Sequence, residues 1–289
     1  MDVTSRIELA LDGAILEAEG AGAPPRLASA MRYAVFPGGA RVRPRLTIAV
    51  AKALGDDAPG LADSAAAAIE LLHCASLVHD DLPCFDDAST RRAKPSVHKA
   101  FGEPLAVLAG DGLIVLAFET LARAAVVRPE RLSALVRIVG RAVGMPMGIV
   151  AGQAWECEPK ADLREYHRAK TGALFAGATM AGAAAAGADP THWGTLGQKL
   201  GEAYQVADDL KDVASSAEEI GKPVGRDAAL GRSSAARELG IAGALRRLDE
   251  LVDAAMASVP ACPGQEELRT LIRLEGRRVL PKELAQVAA

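Results

Sequence analysis

The chain has 289 residues, of which 50% are hydrophobic, 24% charged and only 3% aromatic, with a formal net charge of -4. Mixed charge and ample apolar content exclude a disordered chain, and this length can bury a sizeable core. The acidic balance and the shortage of rings speak against nucleic-acid binding, which leans on excess Lys and Arg and on base stacking.

Residues 6–19 repeat Ile7, Leu11, Ile15 and Ala18 at helical spacing and stop at Gly20-Ala21-Gly22-Ala23-Pro24-Pro25. Further stops fall at Pro37-Gly38-Gly39, residues 55–60, Pro83, Pro129, Pro146, Pro159, Asp189-Pro190, Gly221-Lys222-Pro223 and residues 260–263. Between them lie segments of roughly 10 to 25 residues rich in Ala, Leu, Glu and Arg, the strong helix formers. Residues 61–79 predict a long apolar helix, and the stretch 64–78 holds one acid and no Lys or Arg, which predicts burial on almost every side. Residues 105–118 read as helix despite Gly110-Asp111-Gly112. Residues 171–188 carry no charge, but their Ala and Gly content predicts a buried helix with close neighbours rather than a membrane span.

Alternating β-branched runs with hairpin turns are missing, as is any repeat of fixed period. The expected architecture is an all-α, single-domain helical bundle over residues 1–289. Cys74, Cys84, Cys157 and Cys262 have no C-x-x-C spacing, which fits a reducing cytoplasm, and the first residues lack the apolar core of a signal peptide.

The strongest signal is Asp80-Asp81-Leu82-Pro83-Cys84-Phe85-Asp86-Asp87, placed at the end of the apolar helix. Four carboxylates there repel one another and meet the negative end of the helix dipole, so something positive must offset them. A second cluster, Asp208-Asp209-Leu210-Lys211-Asp212, follows the apolar segment 196–207. Asp208 and Asp212 are four apart and share a helical face. Hard oxygen ligands without thiolate or imidazole select Mg²⁺ or a similar cation such as Mn²⁺, and two such sets suggest a bridged diphosphate. Arg41, Arg43, Arg91, Arg92, Lys170 and Lys222 lie near these clusters or near Gly turns; Arg forks suit diphosphate oxygens and Lys serves as a point charge.

These residues resemble the motifs of the trans-isoprenyl diphosphate synthases, or polyprenyl synthetases, in the family's order. Gly38-Gly39-Ala40-Arg41-Val42-Arg43-Pro44 is similar to the family's G-G-K-R-x-R-P. Leu77-Val78-His79-Asp80-Asp81 through Asp86, then Arg91-Arg92, is similar to its first aspartate-rich motif in the bacterial form with two extra residues. Ala151-Gly152-Gln153, Lys170-Thr171, the run from Tyr204-Gln205 to Asp212, and Gly221-Lys222 through Asp227 resemble the others. The nearest resemblance is to carotenoid-pathway bacterial geranylgeranyl diphosphate synthases.

The resemblance implies an isoprenoid-synthase bundle around a central cavity and a cytoplasmic homodimer. It implies head-to-tail condensation of an allylic diphosphate, farnesyl diphosphate or shorter, with isopentenyl diphosphate. By carry-over, Asp80, Asp86 and Asp208 hold Mg²⁺, supported by Asp81, Asp209 and Asp212. Arg91, Lys170 and Lys222 cage the allylic diphosphate, while Arg43, His73 and Arg92 bind isopentenyl diphosphate. Thr171 and Gln205 line the reacting carbons. The family Lys after Gly-Gly is Ala40 here, and Arg41 or Arg45 is left to replace it.

The helix ending at Asp80 should run beside the growing tail, each turn advancing ~5.4 Å, roughly one isoprene unit. Ala75 and Ser76, about one turn before Asp80, are small, and in the family small residues there admit longer products. A geranylgeranyl product is expected, with farnesyl or longer chains as the alternative. Three rivals remain at this level: a di-iron bundle, for which only Glu70-Leu71-Leu72-His73 offers the Glu-x-x-His pattern; a terpene cyclase, disfavoured by the few aromatics; and a weakly active subunit of a heteromeric synthase, raised by Ala40.

Overall fold

A computed structural model describes residues 1–159, 166, 168–214 and 235–278. Among them are twelve α-helices: α1 (Val3–Ala18), α2 (Pro25–Val35), α3 (Val42–Ala53), α4 (Pro59–Asp80), α5 (Val97–Phe101), α6 (Glu103–Ala124), α7 (Pro129–Val143), α8 (Ile149–Trp155), α9 (Ala173–Ala185), α10 (Gly194–Ala214), α11 (Ala235–Ala257) and α12 (Gln265–Arg278). The expected all-α bundle is what forms. Local chemistry sets the boundaries. Asp2 caps α1 by accepting from Thr4 N and Ser5 N, and Pro25, Pro59 and Pro129 open α2, α4 and α7, where a missing N–H leaves nothing unpaired.

Helix α4 is the centre of the bundle. No residue from 61 to 82 is exposed, because α6, α3, α9, α1, α2 and α7 all pack on it. Its Ala65, Ala66, Ala67 and Ala68 allow close neighbours, while Leu61, Ile69, Leu71 and Leu72 fill the space between them. Each such Leu or Ile contributes about 1.5–3 kcal/mol on burial. Helix α9 joins two apolar clusters. It gives Leu174, Ala178 and Ala181 to the one around α4, and Phe175 and Ala183 to the one formed with α3, α10, α11 and α12. At Gly182 the α9 backbone lies against Thr47 O with no room for a Cβ, and Thr47 Oγ1 donates to Ala178 O (3.1 Å).

The uncharged stretch 171–188 is less continuous than expected. A π-helical turn over Arg168–Gly172 precedes the thirteen residues of α9, so the segment is too short to span a membrane. Among the described residues the helices with the length and apolar content to do so are α4 and α6, and α4 is a core helix. The second cluster lies within a helix, as the four-residue spacing of Asp208 and Asp212 requires: α10 runs through it to Ala214.

One feature has no helical counterpart. Thr90–Arg91 (β1) pairs antiparallel with Lys94–Pro95 (β2), and the two turn residues, Arg92 and Ala93, have φ of 53° and 59°. Neither residue type signals such a turn, which favours Asn or Gly. The left-handed conformation costs a residue with a Cβ about 1–2 kcal/mol. Ala93→Gly should therefore raise stability by about 0.5–1 kcal/mol in urea melts, a change that an unstrained Ala93 would not give.

Candidate functional site

Two faces of α4 open onto two spaces. Glu70, His73 and Leu77, spaced by three and four, line a polar pocket of about 280 Å³ whose other walls include Arg43, Arg92 and Asp208. Leu72, Ala75, Ser76 and His79 line an apolar cavity of about 520 Å³, closed in part by Ile114 and Val143. Ser76 turns its hydroxyl back onto His73 O (2.8 Å), so it lines the cavity with little polarity. Asp80 lines the apolar cavity and lies 3.9 Å from Arg91, which lines the polar pocket.

The positive charge demanded by the first aspartate cluster comes from two directions. Arg91 grips both oxygens of Asp81 with its Nε and Nη2. Lys170 donates to Asp80 (3.2 Å) and to Glu156 (2.6 Å), and Glu156 also accepts from Tyr166 Oη (2.6 Å). Burial pushes the Asp81 carboxyl above its usual range, and the Arg91 fork opposes this without cancelling it. The Lys170 ammonium is penalised by burial, but Asp80, Tyr166 and Glu156 outweigh that and raise its pKa. The loop after α4 folds back on the helix end: the N–H groups of Asp86, Asp87 and Ala88 donate to the carbonyls of Asp80, Leu82 and Asp81. Asp87 faces away, toward Lys99 (3.2 Å) and His98 (3.6 Å).

Lys170 is placed by close backbone packing. A Cβ on Gly152 of α8 would collide with the Lys170 backbone, so this glycine lets α8 touch the π-helical turn. One residue on, Thr171 Oγ1 donates to Gln205 Oε1 (3.1 Å), and Gln205 Nε2 donates to the buried Asp209 (3.0 Å). This chain fixes which way the Gln205 amide points. Asp208 stands beside it, 3.7 Å from Lys211.

The cations divide into two kinds. Arg43 lies 4.4 Å over the Phe175 ring and 5.9 Å from that of Tyr204, and its Nη1 is 3.4 Å from His73 Nε2. No carboxylate among the described residues pairs with it, and its Nε is buried without a hydrogen-bond partner. Such a guanidinium is suited to receive an anion. Arg92 packs on Gly39, and among the described residues the carboxylate that pairs with it is Glu70, at 3.9 Å. Arg41 and Arg45, by contrast, do not replace the missing cation at the exposed Ala40. Arg41 is buried against Glu8 (2.8 Å), Glu70 (2.7 Å) and Val35 O (2.9 Å), and Arg45 binds Glu275 (2.8 Å) and Thr4 Oγ1 (3.2 Å).

Among the described residues no three acidic, imidazole or thiol groups converge on one point. The donor set nevertheless suits a hard cation: carboxylate oxygens from the end of α4 and from α10, without sulfur. Lys222 and the 221–227 run lie outside the described residues, as does the Asp212 side chain. The sequence reading missed two carboxylates that organise the cations. Glu70 had a signal, being the one acid on an otherwise uncharged helical stretch; Glu156 had none.

Burial, and then the charges of Arg43, Arg92, Arg91 and Arg41, hold the His73 imidazole well below its usual pKa of 6.5, so it stays neutral and its Nε2 can accept from Arg43. The unfolded chain protonates His73 below about pH 6.5 while the native state does not, so stability from this group is complete above that pH and is lost as pH falls below it, by up to about 1.4 kcal/mol per pH unit. His73→Gln should therefore lose less stability than the unmodified chain when urea melts are moved from about pH 7 to about pH 5. Equal losses would exclude a neutral His73.

Comparison with known proteins places this geometry. A family model described as polyprenyl synthetase matches residues 24–260. The chain is 54% identical to a geranylgeranyl diphosphate synthase of Cereibacter sphaeroides, covering 100% of this chain and 99% of that one. It is 51% identical to one of Rhodobacter capsulatus, over 97% of each chain. Among solved structures, a Helicobacter pylori geranyltransferase complexed with magnesium and isoprenyl diphosphate superposes with a TM-score of 0.78 at 29% identity, covering 94% of this chain and 96% of that one. With a family match across most of its length and relatives this similar end to end, the chain belongs to the polyprenyl synthetase family.

Proposed function

We propose that this chain is a prenyltransferase that condenses an allylic diphosphate with isopentenyl diphosphate, head to tail, to give geranylgeranyl diphosphate. The observation that carries this reading is the pairing of a cationic pocket and an apolar cavity of about 520 Å³ on two faces of α4, with Asp80 at its end. A diphosphate headgroup and a hydrocarbon tail need those two surroundings side by side. The two full-length relatives named geranylgeranyl diphosphate synthase support the product length.

Arg91 and Lys170 meet the charge that develops on the leaving diphosphate as the allylic C–O bond breaks. Asp80, Asp86 and Asp208 would hold Mg²⁺, which when bound would add positive charge to stabilise the leaving diphosphate. Asp81 and Asp209 are buried and hold Arg91 and Gln205, a supporting role; Asp212 is assigned the same role and Lys222 a place on the allylic diphosphate. Arg43 and Arg92 bind isopentenyl diphosphate, and neutral His73 keeps Arg43 aimed. Thr171 and Gln205 present oxygen dipoles to the allylic cation, and the apolar cavity keeps water from it. The double bond of isopentenyl diphosphate forms the new C–C bond, and a proton leaves to the departing diphosphate. No side-chain nucleophile is required.

The enzyme is further proposed to be one continuous domain, cytoplasmic and homodimeric. Four free cysteines fit a reducing compartment, and the exposed Val107, Leu108 and Val115 on α6 give a second copy an apolar face to cover.

Purified chain supplied with farnesyl diphosphate, isopentenyl diphosphate and Mg²⁺ should release geranylgeranyl diphosphate on chromatography; unextended farnesyl diphosphate, or elongation to longer chains, overturns the assignment. Chelation with EDTA should abolish turnover, and Mg²⁺ should restore it. Ala75→Tyr places a ring in the cavity one turn before Asp80 and should shift the product toward farnesyl diphosphate, whereas an unchanged product spectrum would sink the idea that this face measures chain length.

A further inference from the structure

The hairpin carrying Arg91 and Arg92 cannot hold itself. Its strands have two residues each, and its turn residues are both left-handed. Its fixation comes from behind. Lys94 Nζ donates to Tyr33 O and to Phe36 O, each at 2.6 Å, and sits 3.6 Å over the Tyr33 ring. Tyr33 Oη donates in turn to Pro95 O (2.8 Å). The base of the hairpin is tied by Ser96 N to Ser89 O (3.0 Å).

We propose that the carbonyl end of α2, acting through Lys94, is the mount that holds Arg92 over the isopentenyl diphosphate pocket, which makes Lys94 a positioning residue. The inference rests on the assignment of Arg92 given above. A helix C-terminus has unpaired carbonyls and partial negative charge, so it suits an ammonium. No carboxylate among the described residues pairs with Lys94; carbonyls and a ring surround it, which is unlike a surface lysine. The same helix end also takes Arg41, whose Nη2 donates to Val35 O (2.9 Å) and which begins the segment carrying Arg43. One helix terminus therefore fixes both cation-bearing segments of the pocket. Arg91 and Arg92 depend on this mount unequally. Arg91 is gripped by Asp81, whereas Arg92 has Glu70 no closer than 3.9 Å. Losing the mount should release Arg92 first.

Full-length Lys94→Met, Lys94→Arg and Tyr33→Phe test this by steady-state kinetics with each substrate varied in turn. Lys94→Met should raise KM for isopentenyl diphosphate by about 10-fold or more, while KM for farnesyl diphosphate and kcat change less than about 3-fold. Lys94→Arg should recover most of the loss, and Tyr33→Phe should give a smaller shift of the same kind. A KM for isopentenyl diphosphate that does not move in Lys94→Met, or kcat and both KM values worsening together, overturns the mount. If Lys94→Met does not fold, Tyr33→Phe decides by the same split. If the unmodified chain turns over neither substrate, the proposed function fails; titration with inorganic pyrophosphate then reads the mount alone, weaker binding by the variants supporting it and equal binding overturning it.

Discussion

The structure depends on a charge balance at one helix end. Helix α4 is buried along its length and delivers Asp80 and Asp81 where its own dipole is negative, an arrangement that would be destabilising if left alone. Arg91 answers Asp81, and Lys170 answers Asp80. Removing one partner from a buried pair of this kind costs about 3–5 kcal/mol, because the other charge stays behind. The β-hairpin, the π-helical turn and the glycine contact between α8 and Lys170 all serve to bring these two cations to that point. These paired groups suit the multiply charged anion proposed above, since Arg91 and Lys170 can turn from the carboxylates toward an incoming ligand.

The arginines after Gly38-Gly39 are balanced unequally. Arg43 lies over Phe175, with Tyr204 beside that ring, and faces a neutral His73, so no carboxylate among the described residues takes up its positive charge. Arg41, only two residues away, is fully engaged by Glu8 and Glu70. The contrast shows how a buried carboxylate decides whether an arginine is structural or available. Glu70 is central to this, because it closes the shell of Arg41 and stands near Arg92 on the floor of the pocket.

Beside this polar network the tail cavity is simple. Ala75 and Ser76 keep the α4 wall low, and Ile114 and Val143 face it from α6 and α7. The scarcity of aromatic side chains, which at first only argued against nucleic acid, leaves a cavity walled mainly by small and aliphatic groups. Such walls can exclude water from a reacting cation, and Phe85 is the one phenyl ring that lines them among the described residues.

Much of this was legible in the residues alone. Helical periodicity, Pro and Gly stops, and an apolar helix ending in carboxylates specify the all-α class, the burial of α4 and the two aspartate clusters, because those properties depend on neighbours in the chain. The family motifs extend the reading to Lys170, Thr171 and Gln205. What the chain order could not reveal is which charges meet. Arg41 and Arg43 are indistinguishable as residues, and only the packing of α1 and α4 gives the first its carboxylates. Lys94 and Glu156 carried no signal, since a lone charge in a loop or at a helix end has the same sequence whether it faces water or a partner distant in the chain. The β-hairpin was hidden for a related reason: Arg92 and Ala93 adopt a turn that their types disfavour, because contacts from α2 hold it. Composition and spacing determined the elements and the chemistry available; tertiary contacts decided which cations are balanced and which stay free for a ligand.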